Sequence, residues 1–350
     1  MLKPISPEGD TEVPLRGVDP LQLLVSMGIM APHHQATCTP LTGGVSSDIW
    51  LVHNGLESIV LKRAKNRLNV CSTWVVPVDR GQAEVNWLRL VGKVFPENVP
   101  HVIAFDPETF AMALPYLDPK NHTNWQTDLM AAQVDSDFAD DLGRLLAGIH
   151  KNTFARPRLA ADFDNGDLFH LLRIEPFLER SASAIPEVAD AMGKIIDSLR
   201  VNRHALVHGD FSPKNILVNR SGTRPRPIIL DAECAVWGDP AFDVAFCLAH
   251  LALKSIHVRD SSETIIEAAR RFRASYLKAC PEELAPGVNQ RLGQLVPALL
   301  LARVVGASPT GYLTEQERNL VKQVATYSLV SGEPCGPQLH HQKTLTDSPW

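Results

Sequence analysis

Three oxygen-bearing side chains and a histidine lie close together in the stretch Val207 to Asp231, VHGDFSPKNILVNRSGTRPRPIILD. His208 is followed two residues on by Asp210, then by Asn215, and Asp231 stands at the end of the apolar run Ile228 to Leu230. Such a set suits transfer of a phosphoryl group from a nucleotide, a reaction that asks the protein mainly for positioning and for neutralisation of charge on the transferred group. One carboxylate must meet the acceptor hydroxyl, while an amide oxygen and a second carboxylate hold hard cations against the phosphates. Asp210 takes the first role, as catalytic base; Asn215 and Asp231 take the second, with Mg2+ as the ion. The competing reading is a decorative turn. An apolar segment after each half of the stretch favours a catalytic loop between strands.

The elements around it follow from local pattern. Val207 ends a short strand, His208 to Asn215 form a polar loop, Ile216 to Asn219 and Ile228 to Leu230 are strands, and Arg220 to Arg226 turn between them. The Asp and Asn fall at the spacing of the kinase pattern H-R-D-x-x-x-x-N, with Gly209 where protein kinases have Arg. Upstream, Thr39 to Leu41, Ile49 to His53 and Glu57 to Leu61 read as a three-stranded meander whose second turn is Asn54-Gly55. In the first turn Gly43, Gly44, Ser46 and Ser47 would let backbone N–H groups approach nucleotide phosphates, although an ordinary hairpin loop explains them equally well. The third strand delivers Lys62, either a solvated strand end or the phosphate-binding lysine of a V-A-I-K strand. Glu84, on a helix from Gly81 to Leu90, is its natural partner. Between them Arg63 to Arg80, with Trp74 and Pro77, is either a lid or an insertion.

Strands at Ile103 to Phe105 and Phe110 to Leu114 complete a small sheet, and Pro115 to Pro119 reads as a hinge. Leu114 and Tyr116 flank the place where adenine would lie, and Pro115 has no N–H to offer it. Lys120 to Gln126 reads as exposed loop. Helical periodicity then covers Phe138 to His150, Pro186 to Leu199, Asp243 to Leu253, Thr264 to Ala279, Gly287 to Val304 and Thr314 to Val330, with Phe163 to Leu178 mixed loop and helix. A short helix at Pro20 to Met27, capped by Asp19, is read as packing alone. His150 reads as a helix-terminal cap. Glu233 lies two residues from Asp231 on extended chain, so both could face one ion. Asp243, in the first turn of its helix, reads as structural. The aspartates at 135, 137, 140 and 141 fit an acidic acceptor pocket or a helix N-terminus equally.

The composition sets the class. The 350 residues are 45% apolar and 21% charged with a formal charge of −5, which suits a globular protein and excludes a nucleic-acid binder reliant on a basic surface. No apolar run reaches membrane-span length, and MLKPISPEGD lacks the core of a signal peptide, so a cytoplasmic protein without membrane contact is expected. The six cysteines show no C-x-x-C spacing and are expected reduced. The adjacent His340 and His341 lie in a polar tail and read as incidental.

With these residues assembled, the chain resembles the aminoglycoside phosphotransferase family of small-molecule kinases from about Leu41 to Tyr327. The resemblance is sharpest in HGDFSPKNILV (His208 to Val218) and LDAECAVWGDPAFDVAF (Leu230 to Phe246), and LKRAKNRLNVCSTWVVPVDRGQAE is similar, more loosely, to methylthioribose kinases. It implies an α+β protein-kinase-like two-lobed fold, with a small antiparallel-sheet N-lobe at 37–114, a hinge at 115–119 and a larger, mainly helical C-lobe at 120–331. Residues 1–36 would form an N-terminal segment and 332–350 a loosely ordered tail. It further implies Asp210 as base, Asn215 and Asp231 as magnesium ligands assisted by Glu233, Lys62 on the phosphates of ATP, and Glu84 orienting Lys62. The expected partners are the nucleotide and a small hydroxyl acceptor, with the chain a monomer or homodimer. The leading expectation is an Mg-ATP-dependent kinase of an aminoglycoside-like polyol or related alcohol; the alternatives are a methylthioribose-like sugar kinase and a nucleotide-binding pseudokinase with a regulatory role.

Overall fold

The computed structural model describes residues 19–32, 35–41, 46–55, 57–65, 67–68 and 74–335. The expectations for residues 1–18, for Gly43 and Gly44, for the middle of the tryptophan loop (69–73) and for the tail with His340 and His341 lie outside the described residues.

The N-terminal lobe is built on a five-stranded antiparallel sheet in the order Thr37–Pro40, Ser47–His53, Ser58–Ala64, Ala111–Pro115, Ala104–Asp106. Alternation along its central strand gives each face a job, since successive strand side chains point to opposite sides. Ile59 and Leu61, with Ala111 and Ala113 of the neighbouring strand, form an outer core with Leu23 and Leu24 of the helix Pro20–Ser26. Val60 and Lys62 line the interlobe cavity instead. The Asn54-Gly55 turn is made as its sequence predicts: Gly55 has φ 89°, and Asn54 Oδ1 accepts the Glu57 N–H at 2.7 Å.

Behind the sheet the helix Arg80–Gly92 buries Val85, Trp87, Leu88 and Val91 in the main core, which continues through the second lobe. That lobe is mainly helical. Its axis is Ala241–His257, in which every residue but the last is buried, as expected for a helix apolar all round. Against it pack Ser262–Ala279 and Ala285–Val305, with Ser136–Thr153 and Glu315–Ser331 outside them. Asp135 caps Ser136–Thr153 through the N–H groups of Asp137 and Phe138. Thr314 and Glu317 make a capping box on Glu315–Ser331.

Two local expectations need correction, and one is refined. Lys120 to Gln126 is not simply exposed loop: His122–Asn124 is a strand paired antiparallel with Ile216–Asn219, and Asn124 caps the helix Trp125–Met130. The polar side chains concealed it, because this short strand is held by pairing and capping rather than by a buried apolar face. Phe163 to Leu178 contains a π-helical segment, His170–Glu179, around Pro176, whose missing N–H disrupts regular α-helical bonding. Finally, His150 is no cap; it is fully buried. Its Nδ1 lies 2.8 Å from the Tyr276 hydroxyl and its Nε2 3.4 Å from Asp243 Oδ2.

Candidate active site

The catalytic loop is held by its backbone. Asp243 accepts the N–H of His208 at 2.7 Å and that of Gly209 at 2.9 Å, so the aspartate in the first turn of the central helix fixes the entry to the loop. Gly209 sits at φ 76°, and a Cβ there would lie 2.5 Å from the carbonyl oxygen of Cys234. Glycine is required on both counts, which explains why Arg is absent at this position. His208 donates from Nε2 to the Leu230 carbonyl at 3.0 Å and accepts the Asp210 N–H at Nδ1. Burial lowers its pKa, which agrees with a neutral ring donating at one nitrogen and accepting at the other. One imidazole thereby ties the Asp210 loop to the strand end that carries Asp231. Asp231 itself has φ 64°, in the left-handed region that Asp tolerates better than most residues.

Asp210 is buried among donors. Its Oδ2 lies 2.9 Å from Lys214 Nζ, 3.1 Å from Arg173 and 2.9 Å from Asn215 Nδ2. Burial alone would raise its pKa; Lys214 and Arg173 outweigh that and hold it below the ordinary aspartate range, so it is ionised at neutral pH. Arg173 also donates to the Gly209 carbonyl. Neither cation was singled out from sequence. Both left a signal: Lys214 is four residues from Asp210, and Arg173 is the one cation in the mainly apolar run Leu171 to Leu178.

Lys62 and Glu84 meet as expected, Nζ lying 2.8 and 2.7 Å from the two carboxylate oxygens. The same ammonium contacts Asp231 Oδ1 at 2.5 Å. Burial pulls the Lys62 pKa down, but Asp231 and Glu84 more than reverse it; burial pulls that of Asp231 up, and Lys62 and Lys214 drive it well below the usual carboxylate range. Glu233 has a partner that sequence did not suggest. Arg80, fully buried, donates Nε to Glu233 Oε2 at 3.0 Å and its remaining N–H groups to the carbonyls of Val76, Pro77, Ser46 and Lys65. A cation at the start of a helix opposes the helix dipole, and that anomaly could have flagged Arg80.

One cavity of about 630 Å³ runs between the lobes and is lined by Lys62, Glu84, Asp210, Asn215, Asp231 and Glu233. Ser46, Ser47, Leu114 and Tyr116 line it as well, so every expected site residue within the described regions reaches this one space. The Ser47 hydroxyl is buried there with no partner. Toward a cation the donor set is hard and oxygen-rich: Asn215 spends its amide nitrogen on Asp210, Asp231 keeps one oxygen clear of Lys62, and Glu233 keeps one clear of Arg80. These residues suit magnesium by type, although no group of three His, Cys, Asp or Glu among the described residues forms a ready-made metal cluster.

The pattern of the Phosphotransferase enzyme family (APH) matches residues 37–286. The chain belongs to this family of aminoglycoside phosphotransferases and related small-molecule kinases, and is an O-phosphotransferase. Among solved structures it is similar to a microcompartment-associated aminopropanol kinase, with TM-score 0.56 and 17% identity over 89% of this chain and 97% of the other. An ethanolamine kinase of Plasmodium vivax gives TM-score 0.54 and 11% identity over 91% and 86%. Spectinomycin phosphotransferase in complex with ADP and spectinomycin gives 0.50 and 12% over 95% and 96%. At such identities the likeness is one of fold, and the fold is the protein-kinase-like one of two lobes. No curated protein sequence matches the chain. No single helix among the described residues is long and apolar enough to cross a membrane.

Proposed function

We propose that this chain transfers the γ-phosphate of Mg-ATP to a hydroxyl of a small molecule, with Asp210 meeting that hydroxyl. The observation that carries the reading is the convergence of Asp210, Asn215, Asp231 and the Lys62–Glu84 pair on one interlobe cavity. The nucleotide complex of the related spectinomycin enzyme supports nucleotide use here.

In this reading Val60, Leu114, Leu217 and Leu230 make apolar walls for the adenine. Lys62, steadied by Glu84, presents its charge to the phosphates, and the unpaired Ser47 hydroxyl has a donor to offer them. Asn215 and Asp231 would hold the magnesium, with the remaining oxygen of Glu233 beside them. When bound, that ion neutralises phosphate oxygens. Asp210 already accepts from Lys214, Arg173 and Asn215 and is acidic, so it is a weak base; its contribution lies mainly in aligning the hydroxyl and only late in taking its proton.

The regulatory pseudokinase reading has less support, because Asp210, Asn215, Asp231 and Lys62 all line the one cavity. Asp210→Asn tests the proposal: Mg-ATP binding by calorimetry should persist while ADP release falls about 10²- to 10⁴-fold. Full turnover in that variant overturns the assignment of Asp210.

A further inference from the structure

Beyond the catalytic loop the cavity changes character. Its far wall is made by the π-helical segment His170–Glu179, the central helix Ala241–His257, and the last turn of Ala285–Val305 with the loop after it, and it carries Arg173, Phe177, Phe246, His250, Arg303 and Ser308. Arg173 and Arg303 lie over the same Phe177 ring, at 5.5 and 5.7 Å from its centre. Phe246 stacks on Phe177 and meets the His250 ring at 5.1 Å. The aromatic pair thus spaces two guanidiniums along one wall, the first of them touching Asp210.

Polar groups here lack partners. Among the described residues the Arg303 guanidinium reaches Ser308 Oγ alone, at 3.3 Å, and its Nε is buried without an acceptor. His250 is 3% exposed, and its Nδ1 has no partner. One turn further along the same helix Lys254 is fully buried; among the described residues its side-chain nitrogen finds no hydrogen-bond acceptor and lies 5.3 Å from the centre of the Tyr312 ring, whose hydroxyl is also unsatisfied. Among the described residues no carboxylate pairs with Arg303 or Lys254. Burial without a counter-charge is costly and is rare in a protein at rest. The charges around His250 are cations from several elements: Lys254 on its own helix, Arg303, Lys214 and Arg173.

The aspartates that could have made an acidic pocket are spent elsewhere. Asp135 caps its helix, Asp137 pairs with Arg271, Asp140 and Asp141 pair with Arg144, and none of the four lines the cavity. An amino alcohol seated against this wall would meet the Arg303 guanidinium, to which no carboxylate is ion-paired among the described residues. An anion would supply the missing acceptor.

We infer that the acceptor is an anionic hydroxyl compound whose carboxylate or phosphate is held by the Arg303, His250 and Ser308 wall while its hydroxyl faces Asp210. The inference rests on the phosphotransferase reading, which supplies the direction in which the hydroxyl must point. Arg is well matched to either oxyanion through its planar fork.

The test uses the full chain saturated with Mg-ADP, so that sites for nucleotide phosphates are filled, and calorimetric titration at constant ionic strength with glycerate, glycerol 3-phosphate, glycerol and ethanolamine. At least one anion is expected to bind about tenfold or more tightly than glycerol and ethanolamine, the worth of one charge-assisted contact. A preference for glycerate identifies a carboxylate, and one for glycerol 3-phosphate a phosphate. Arg303→Gln and, independently, His250→Gln should erase the preference, and Arg303→Lys should restore part of it. Ethanolamine or glycerol binding as tightly as the better anion, binding by neither anion at millimolar concentration, or a preference that survives both glutamine substitutions overturns the inference. Mg-ADP binding in the same sample keeps the two levels apart. Nucleotide bound with ethanolamine preferred sinks the anionic acceptor alone, whereas absence of nucleotide binding sinks the reading beneath it.

Discussion

The two ends of the cavity handle charge in opposite ways. At the catalytic end each carboxylate that lines the cavity has a cation: Asp210 has Lys214 and Arg173, Glu84 and Asp231 share Lys62, and Glu233 has Arg80. At the far end, among the described residues, Arg303 and Lys254 have no carboxylate within ion-pair distance, and His250 has an unpaired nitrogen. At the balanced end the surrounding cations keep Asp210 and Asp231 ionised, while burial raises the Glu84 pKa to about 7 despite Lys62. The unbalanced end is a site whose electrostatics are completed from outside. Preorganisation thus sits where phosphate chemistry needs it, and unsatisfied polarity sits where selection among acceptors would occur.

The comparison can be broken most severely at Asp210, where replacement by Asn should remove orders of magnitude of turnover, as described above. Arg80→Met comes next in size. It strands Glu233 as a buried charge and frees carbonyls of Ser46, Lys65 and Pro77, so chemical denaturation should show a loss of about 3–5 kcal/mol. A loss below about 1 kcal/mol would mean that the pair is easily replaced by water.

Lys254→Met sharpens the contrast by moving in the other direction. Burial, reinforced by Arg303, brings the Lys254 pKa down to about 7 from an ordinary value of 10.5. Below 10.5 the unfolded chain holds a proton that the folded one releases, so the lysine costs stability increasingly as pH falls from about 10.5 to about 7 and by a constant amount below that. The methionine variant should therefore unfold at a higher temperature than the wild type at pH 6–7, by about a few kcal/mol of stability, with the gap closing toward pH 10. A variant less stable than wild type at pH 7 would show that the ammonium has a compensating partner.

Asp243→Asn should have a smaller effect. Asn keeps one acceptor oxygen for two backbone N–H groups, so a loss of about 1–3 kcal/mol with slower turnover is expected from denaturation and ADP-release assays. Smallest of all is Asp141→Asn. Its contacts are exposed pairs with Arg144 and Arg224, and both melting temperature and acceptor affinity should remain at wild-type values. A changed acceptor affinity would bring the acidic helix start back into the site.

Much of the balanced end was legible in the chain. The run from His208 to Asp231 announces itself by spacing, because a short loop and the strand after it leave little freedom in where Asp210, Asn215 and Asp231 can point. Lys62 and Glu84 were readable for a related reason: an apolar strand ending in Lys and a helix start that follows it form a recurrent pair. His122–Asn124 was misread as loop, since a three-residue strand built from His, Thr and Asn has no apolar alternation to betray it.

What the sequence determined by itself is therefore the chemistry of phosphoryl transfer and the antiparallel sheet that carries the lysine. Both are written in patterns of adjacent residues. Tertiary structure alone decided which charges are neutralised: Arg80 finds Glu233 across 153 positions, His150 joins Tyr276 and Asp243, and Arg303 shares the Phe177 ring with Arg173, of which only Arg173 is ion-paired to Asp210 among the described residues. The reason is physical. A charged residue advertises that it needs a partner, but whether it receives one depends on which distant elements the core brings alongside it.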